Sequence, residues 1–293
     1  MLRTVFERVW AFDAEWVPDP VTGRMLYHLD DHLSNEEVMR EMWRRNGATE
    51  EDPTPFLKTA VCRLVSLVLV ERWQKSPGDV RLRLRSLPET PDDPSKTTEE
   101  QIIRPFLTGV GRFRPQVVGF NSVNADLKIL IQRGIALGIQ AKEFCRRPAK
   151  PWEGEDYFAR GTDCNIDLME VVCGFGRTYS VTLNEIAVVS GIPGKLGTSG
   201  DDVAGMWING KLQEIIEYNE YDAFTTYLLW LRVANFAGLF SPDEYAQEQA
   251  LVENLLEHLI SEGKAHLTLF LSEWKRLRSY RINHASAIRE LHD

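Results

Sequence analysis

Residues 11–16 read Ala11-Phe12-Asp13-Ala14-Glu15-Trp16 and close an aromatic, β-branched stretch that begins near Val5 and stops at Pro18. That composition predicts a strand. Successive strand residues point to opposite faces, so Asp13 and Glu15 project together near the C-terminal end. In open α/β sheets that end is where ligands bind. Two carboxylates so placed repel each other unless a cation lies between them. The plain alternative is a pair of solvated acids at a strand end.

The rest of the chain supplies partners for this strand. Ala60 to Trp73 is a long apolar run that reads as a buried strand, and Val80 to Leu87 alternates Arg81, Arg83 and Arg85 with Leu82 and Leu84, a half-buried one. Between the first strand and Ala60, residues 18–57 look inserted: Pro18, Pro20, Gly23, Pro53 and Pro55 bracket one helix, Ser34 to Arg45, opened by a Ser34–Glu37 capping box. After a polar loop (88–98), the pattern predicts a helix from Thr98 to Val110, a strand over Gln116–Phe120 and a helix from Asp126 to about Ala136. A strand over Cys164–Leu168, a second capping box (Thr182, Glu185), a Gly-rich turn over Gly191–Gly200 and a helix from Leu212 to about Val233 follow. Beyond Ser241-Pro242-Asp243 the chain is helical in pattern. Three successive strands, then alternating helices and strands, predict an α/β mixed sheet flanked by helices. The expected organisation is one domain over 1–240, carrying the 18–57 insertion, and a helical C-terminal extension over 241–293.

Two further acidic pieces stand out. Gly119-Phe120-Asn121-Ser122-Val123-Asn124-Ala125-Asp126 runs from a strand into a helix, where Asp126 alone reads as an N-cap. Tyr218-Asn219-Glu220-Tyr221-Asp222 lies inside the long helix, and four-residue spacing puts Tyr218 and Asp222 on one face. Taken singly, this is an aromatic beside a surface acid. The apolar run after Asp222, however, makes an unpartnered carboxylate there expensive.

Together the three pieces resemble the DEDD superfamily of 3′–5′ exonucleases, and the Y-x-x-x-D spacing resembles its tyrosine branch. The histidine branch has its His five residues before the last Asp, where this chain has Glu217. The chain is similar to the proofreading exonuclease domain of family B DNA polymerases from about Val5 to Val233. The likeness includes Asn121, Ile166-Asp167-Leu168 and Gly191-Ile192-Pro193-Gly194-Lys195. Those polymerases usually carry an aromatic just before the second acidic position, where this chain has Ala125, with Phe120 nearby. The resemblance implies a ribonuclease H-like fold and a free-standing, metal-dependent exonuclease. Its substrate would be single-stranded nucleic acid or frayed 3′ ends, with DNA favoured over RNA and nucleoside 5′-monophosphates released. It also implies two Mg²⁺ or Mn²⁺ ions held by Asp13, Glu15, Asp126 and Asp222, with Tyr218 orienting the attacking water. Trp16, Phe120, Asn121 and Lys195 are the expected nucleic-acid contacts. A non-catalytic nucleic-acid-binding scaffold on the same fold is the competing class.

Composition agrees with this picture and narrows it. The 293 residues are 43% hydrophobic and 26% charged, with a net charge of −9, which disfavours a general polyanion binder but suits a site that recruits cations. The best apolar run, Leu64 to Val70, is short and broken by Ser66, so no membrane span is expected. Without an export signal, and with four scattered cysteines, the expected location is the cytoplasm. Gly194-Lys195 is no phosphate loop of the Walker type, since Val189 and Leu196 stand where Gly and Ser/Thr are required. The arginines at 81, 83 and 85 read as guards of a sheet edge, and Asp167 as a helix N-cap. Core packing is the reading for Tyr221. The basic run Trp274–Arg281 offers a contact for nucleic acid or a protein partner.

Overall fold

The computed structural model describes residues 2–76, 78–150, 153–174, 181–197 and 200–290, without the side chains of residue 201 and residues 281–290. Two positions of the expected Gly-rich turn, 198 and 199, and the Arg281 side chain of the basic run lie outside that description. Five strands among the described residues form one sheet in the order β3-β2-β1-β4-β5: β1 (Arg8–Pro18), β2 (Cys62–Ser76), β3 (Asp79–Leu87), β4 (Gln116–Gly119) and β5 (Asn165–Asp167). β1 pairs antiparallel with β2 and parallel with β4; β2–β3 is antiparallel and β4–β5 parallel. This is the mixed sheet that the strand pattern predicts.

The helices cover both faces. α1 (Pro20–Tyr27), α2 (Asn35–Arg45), α3 (Glu99–Phe113) and α4 (Asp126–Ala136) pack with Phe12, Ala14, Leu67 and Leu69 on one side. On the other side α8 (Leu212–Phe236) meets Val9, Ala11, Val68 and Val70. α5 (Leu168–Cys173), α6 (Leu183–Val189) and α7 (Val203–Ile208) are short connectors. α8 is apolar on almost every face because α9 (Pro242–Ser261) and α10 (Leu267–Glu290) cover the side away from the sheet. Val252, Leu256, Phe270 and Trp274 of those last two helices are buried in the same core as Val9 and Phe224.

Both capping boxes form as expected. The insertion holds two helices rather than one. The signal for the extra helix is Asp19-Pro20: the Asp19 carboxylate accepts the Val21 amide at 3.2 Å, and Pro20 occupies the first turn. β1 begins at Arg8 rather than Val5, and β5 is only three residues long because Asp167 already caps α5. β3 is an edge strand, and its arginines are paired: Arg81 with Asp79, Arg83 with Glu71 and Arg85 with Glu89. The tyrosine at 221 donates its hydroxyl to the His266 carbonyl at 2.9 Å and stacks on Phe270, as core packing requires.

Two buried polar clusters tie the last helices to the sheet. Glu220, wholly buried, accepts from Ser86 Oγ and Lys264 Nζ at 2.6 Å and contacts His266 Nε2 at 2.8 Å. Arg72, in β2, donates to Glu248 of α9 through Nε at 2.9 Å and Nη2 at 2.6 Å, and the Tyr227 hydroxyl donates to the other Glu248 oxygen at 3.2 Å. Removing one partner of such a pair strands a buried charge. Glu248→Leu is therefore expected to lose about 3–5 kcal/mol in urea denaturation, and the double variant Arg72→Met/Glu248→Leu to recover most of that. A single variant as stable as the wild type would contradict this pairing.

Candidate metal centre and groove

The site is built where β1 outruns β4. Parallel pairing with β4 covers only Val9–Ala11, so the following residues of β1 flank a gap. Asp13 and Glu15 continue the stripe of Val9 and Ala11 toward α8, and a bulge follows between Glu15 and Trp16. Register places Glu15 opposite Ser66, the hydroxyl that breaks the apolar run of β2. That hydroxyl accepts Asn219 Nδ2 at 3.1 Å, docking α8 onto the sheet three residues before Asp222. One oxygen each from Asp13, Glu15 and Asp222 then lie within 4.8 Å of one another.

Asp126 borders this triad. It is the first residue of α4, and rather than capping that helix it reaches β1: its Oδ1 accepts the Ala14 amide at 3.0 Å, beyond the end of β4. The loop leading to it is held by Asp167, whose carboxylate accepts the amides of Asn121 at 2.8 Å, Val123 at 3.1 Å and Met169 at 3.0 Å. Asp167 thus caps α5, as its sequence context predicts, and also holds the loop before Asp126. Asn121 sits in the left-handed region (φ +59°) and accepts from Asn124 Nδ2 at 3.1 Å. Gly119 has no alternative, since a Cβ there would stand 2.5 Å from Ser122 Cβ.

Lys195 approaches from the loop after α6. A Cβ on Gly194 would fall 2.1 Å from Asn184 Oδ1, the atom that accepts the Lys195 amide at 2.8 Å. Thr225 Oγ1 donates to the Pro193 carbonyl at 3.0 Å, so the loop is fixed to α8 one turn beyond Asp222. Lys195 and Asp222 line one small cavity.

Electrostatics shows what the cluster lacks. Burial first, then the charges of Asp126, Asp222 and Glu15, push the Asp13 carboxyl well above its ordinary range. Glu15 rises by burial and by Asp222 and Asp126, with Lys195 acting in the opposite direction. Burial lifts Asp126 to about 7 and Asp222 to about 6, the latter opposed by the Tyr218 hydroxyl and Lys195. Burial and the neighbouring carboxylates raise the Tyr218 phenol, whose hydroxyl donates to Asp222. Hard oxygen donors that repel one another in a half-buried groove fit a metal cation.

A groove of about 490 Å³ joins Asp13, Glu15, Asp126 and Asp222 to Trp16, Phe120, Asn121 and Ala125. It is also lined by Trp43, Pro55, Phe56 and Leu57, all from the insertion. Sequence reasoning missed this wall. The apolar spacing of Val38, Met39, Met42 and Trp43 on α2 is the signal that the insertion is packed rather than loose.

The raised carboxyls carry a pH signature. The folded, metal-free site binds protons that the unfolded chain, with carboxyl pKa near ~4, has already released. Its contribution to stability therefore falls as pH rises toward 8. In thermal unfolding, Mn²⁺ should raise the Tm more at pH 8 than at pH 5.5, and Asp13→Asn/Asp222→Asn should erase the difference. Equal stabilisation at both pH values would contradict the assignment.

Residues 54–274 match the family described as a predicted 3′–5′ exonuclease related to the exonuclease domain of PolB. The matched span takes in Asp126, Lys195, Tyr218 and Asp222, whereas Asp13 and Glu15 precede it. In structure the chain is similar to the family B DNA polymerase from the hyperthermophilic archaeon Pyrobaculum calidifontis, with 18% identity and a TM-score of 0.47 over 78% of this chain. The chain spans 24% of that polymerase. Among curated proteins none matches it. No helix among the described residues is long and apolar enough to cross a membrane. The chain belongs to the family of 3′–5′ exonucleases related to the exonuclease domain of PolB.

Proposed function

We propose that the chain trims single-stranded nucleic acid, DNA in preference to RNA, from the 3′ end and releases nucleoside 5′-monophosphates. The observation that carries this reading is the convergence of Asp13, Glu15 and Asp222 beside Asp126, on the wall of a groove of about 490 Å³. These four carboxylates would hold two Mg²⁺ or Mn²⁺ ions. Such a pair, when bound, neutralises charge on the attacking and leaving oxygens of a phosphodiester and makes water a stronger acid.

The chain's own groups do the rest. Tyr218 stays protonated at neutral pH, so it acts as a hydrogen-bond donor and not as a base. We assign it the orientation of the attacking water, from its place one turn before Asp222. Lys195, facing Glu15 and Asp222, supplies a positive charge for a substrate phosphate. Asn121 and Phe120 line the groove after β4, and Trp16 lines it after the bulge in β1, where they would meet sugar and base.

The test is cleavage of 5′-labelled single-stranded DNA and matching RNA with Mg²⁺. Asp13→Asn and Asp222→Asn should abolish cleavage. Tyr218→Phe removes a hydrogen bond to a metal-holding carboxylate and should slow it by roughly 10–100-fold. DNA should be cut faster than RNA. Undiminished cleavage by Asp222→Asn would overturn the site assignment, and faster cleavage of RNA would overturn the substrate preference alone.

A further inference from the structure

A separate cavity of about 330 Å³ lies behind the loop that leads to Asp126. Neighbouring residues show that it backs onto the carboxylate groove: Asn121, Asp126 and Met169 line the groove, whereas Val123, Leu127 and Glu170 line the second cavity. The partition between them is the Asn121–Ala125 loop and the start of α5, the two segments that Asp167 binds together.

The second cavity has the opposite charge. Lys128 and Arg160 line it, and Glu170 is the only acid among its described lining residues. Both cations are exposed, and neither has a carboxylate partner among the described residues. The basic run of α10, by contrast, is spent on its own acids: Lys275 and Arg278 pair with Glu253, and Arg276 pairs with Glu273. Lys128 stands in the first turn of α4, where the helix dipole disfavours a positive charge, so its own helix gains nothing from it. Arg160 and Phe158 are presented by a firmly held turn. Asp156, ion-paired with Arg147 at 2.9 Å, accepts the Phe158 amide at 3.0 Å, and Thr162 Oγ1 donates to the Ala159 carbonyl at 3.2 Å. Asn165 Nδ2 donates to the Tyr157 carbonyl at 3.1 Å. Phe158 leans on Phe144, with ring centroids 5.2 Å apart, and remains 40% exposed.

Isolated surface lysines and arginines are ordinary. Two without carboxylate partners, gathered with an exposed ring around one cavity of an acidic chain, are the elements of a single-strand site: cations for phosphates and a ring for a base. We propose that this cavity receives a phosphate and a base of the strand a few nucleotides upstream of the 3′ end, after the strand has crossed the Asn121–Ala125 loop. The proposal rests on the exonuclease reading and assigns a contact remote from the carboxylates. Those carboxylates repel a polyanion until cations are bound, so the hold on the strand falls to a surface of opposite sign. Only strands long enough to cross the loop reach it, and affinity therefore rises with strand length.

The test measures binding of 5′-fluorescein oligothymidylates, two to twelve residues long, by anisotropy. The protein carries Asp13→Asn/Asp222→Asn and is kept in EDTA, so that no strand is cut. Affinity should rise with length and then level off. Adding Lys128→Ala/Arg160→Ala should weaken binding of the longest strand by about tenfold and leave the dinucleotide where it was. It should also make the slope of log K against log[salt] shallower by about 1.4, the value for two phosphate contacts to a single strand. Phe158→Leu, which keeps the packing on Phe144, should weaken the longest strand by about fivefold, the scale of one lost base stack. Lys128→Arg/Arg160→Lys should restore the length dependence. A length dependence and salt slope unchanged by Lys128→Ala/Arg160→Ala would overturn the proposal. An equal loss at every length, the mark of a free-nucleotide site, would overturn it too. If the gain with length depends on Lys128 and Arg160 but the protein with its carboxylates intact cuts nothing in Mg²⁺ or Mn²⁺, the exonuclease reading fails and the strand site stands.

Discussion

Carboxylates held within 4.8 Å of one another and half-buried repel, and each resists ionisation while the others are charged. Asp13, Glu15 and Asp222, with Asp126 beside them, are in that condition, and Lys195 offsets only part of it. A fold that keeps such a cluster must supply rigidity from elsewhere. Much of the local architecture does so. The sheet places two of the acids, a helix docked by a buried Asn219–Ser66 hydrogen bond places the third, and a backbone amide of β1 holds Asp126.

Each of these supports has its own anchor. Asp167 accepts three amides and fixes the loop that carries Asn121 in a left-handed conformation. Gly194 lets Asn184 close on the Lys195 amide. Arg72–Glu248 and the Glu220 cluster bind α8, α9 and the start of α10 to the sheet, so the helix bearing Tyr218 and Asp222 is clamped from behind. The last two helices thereby reach the site indirectly, through burial of Phe270 and Trp274 against the α8 layer.

Much of this was legible in the residues. Alternation along β1 put Asp13 and Glu15 on one face, and helical spacing did the same for Tyr218 and Asp222; both patterns are strictly local. Ser66, conspicuous as the polar residue in an apolar strand, is the docking point of α8. Asp126 was ambiguous because a helix N-cap and a long-range acceptor look alike in sequence; only the Ala14 amide, 112 positions earlier, distinguishes them. The groove wall was not legible. Trp43 and Phe56 become neighbours of Glu15 through the Asp19–Arg133–Glu99 ion cluster and the Thr59–Gln132 bond, which join segments far apart in the chain. α1 was overlooked because Pro20 reads as a breaker as readily as a helix start.

The central claim is that this repulsive cluster is a seat for divalent cations. Its most direct test is anomalous scattering from crystals of the protein soaked in Mn²⁺. Two peaks among Asp13, Glu15, Asp126 and Asp222, absent in Asp13→Asn/Asp222→Asn, are the predicted result. Soaked crystals with no anomalous density at these carboxylates, or with Mn²⁺ bound only elsewhere, would contradict it.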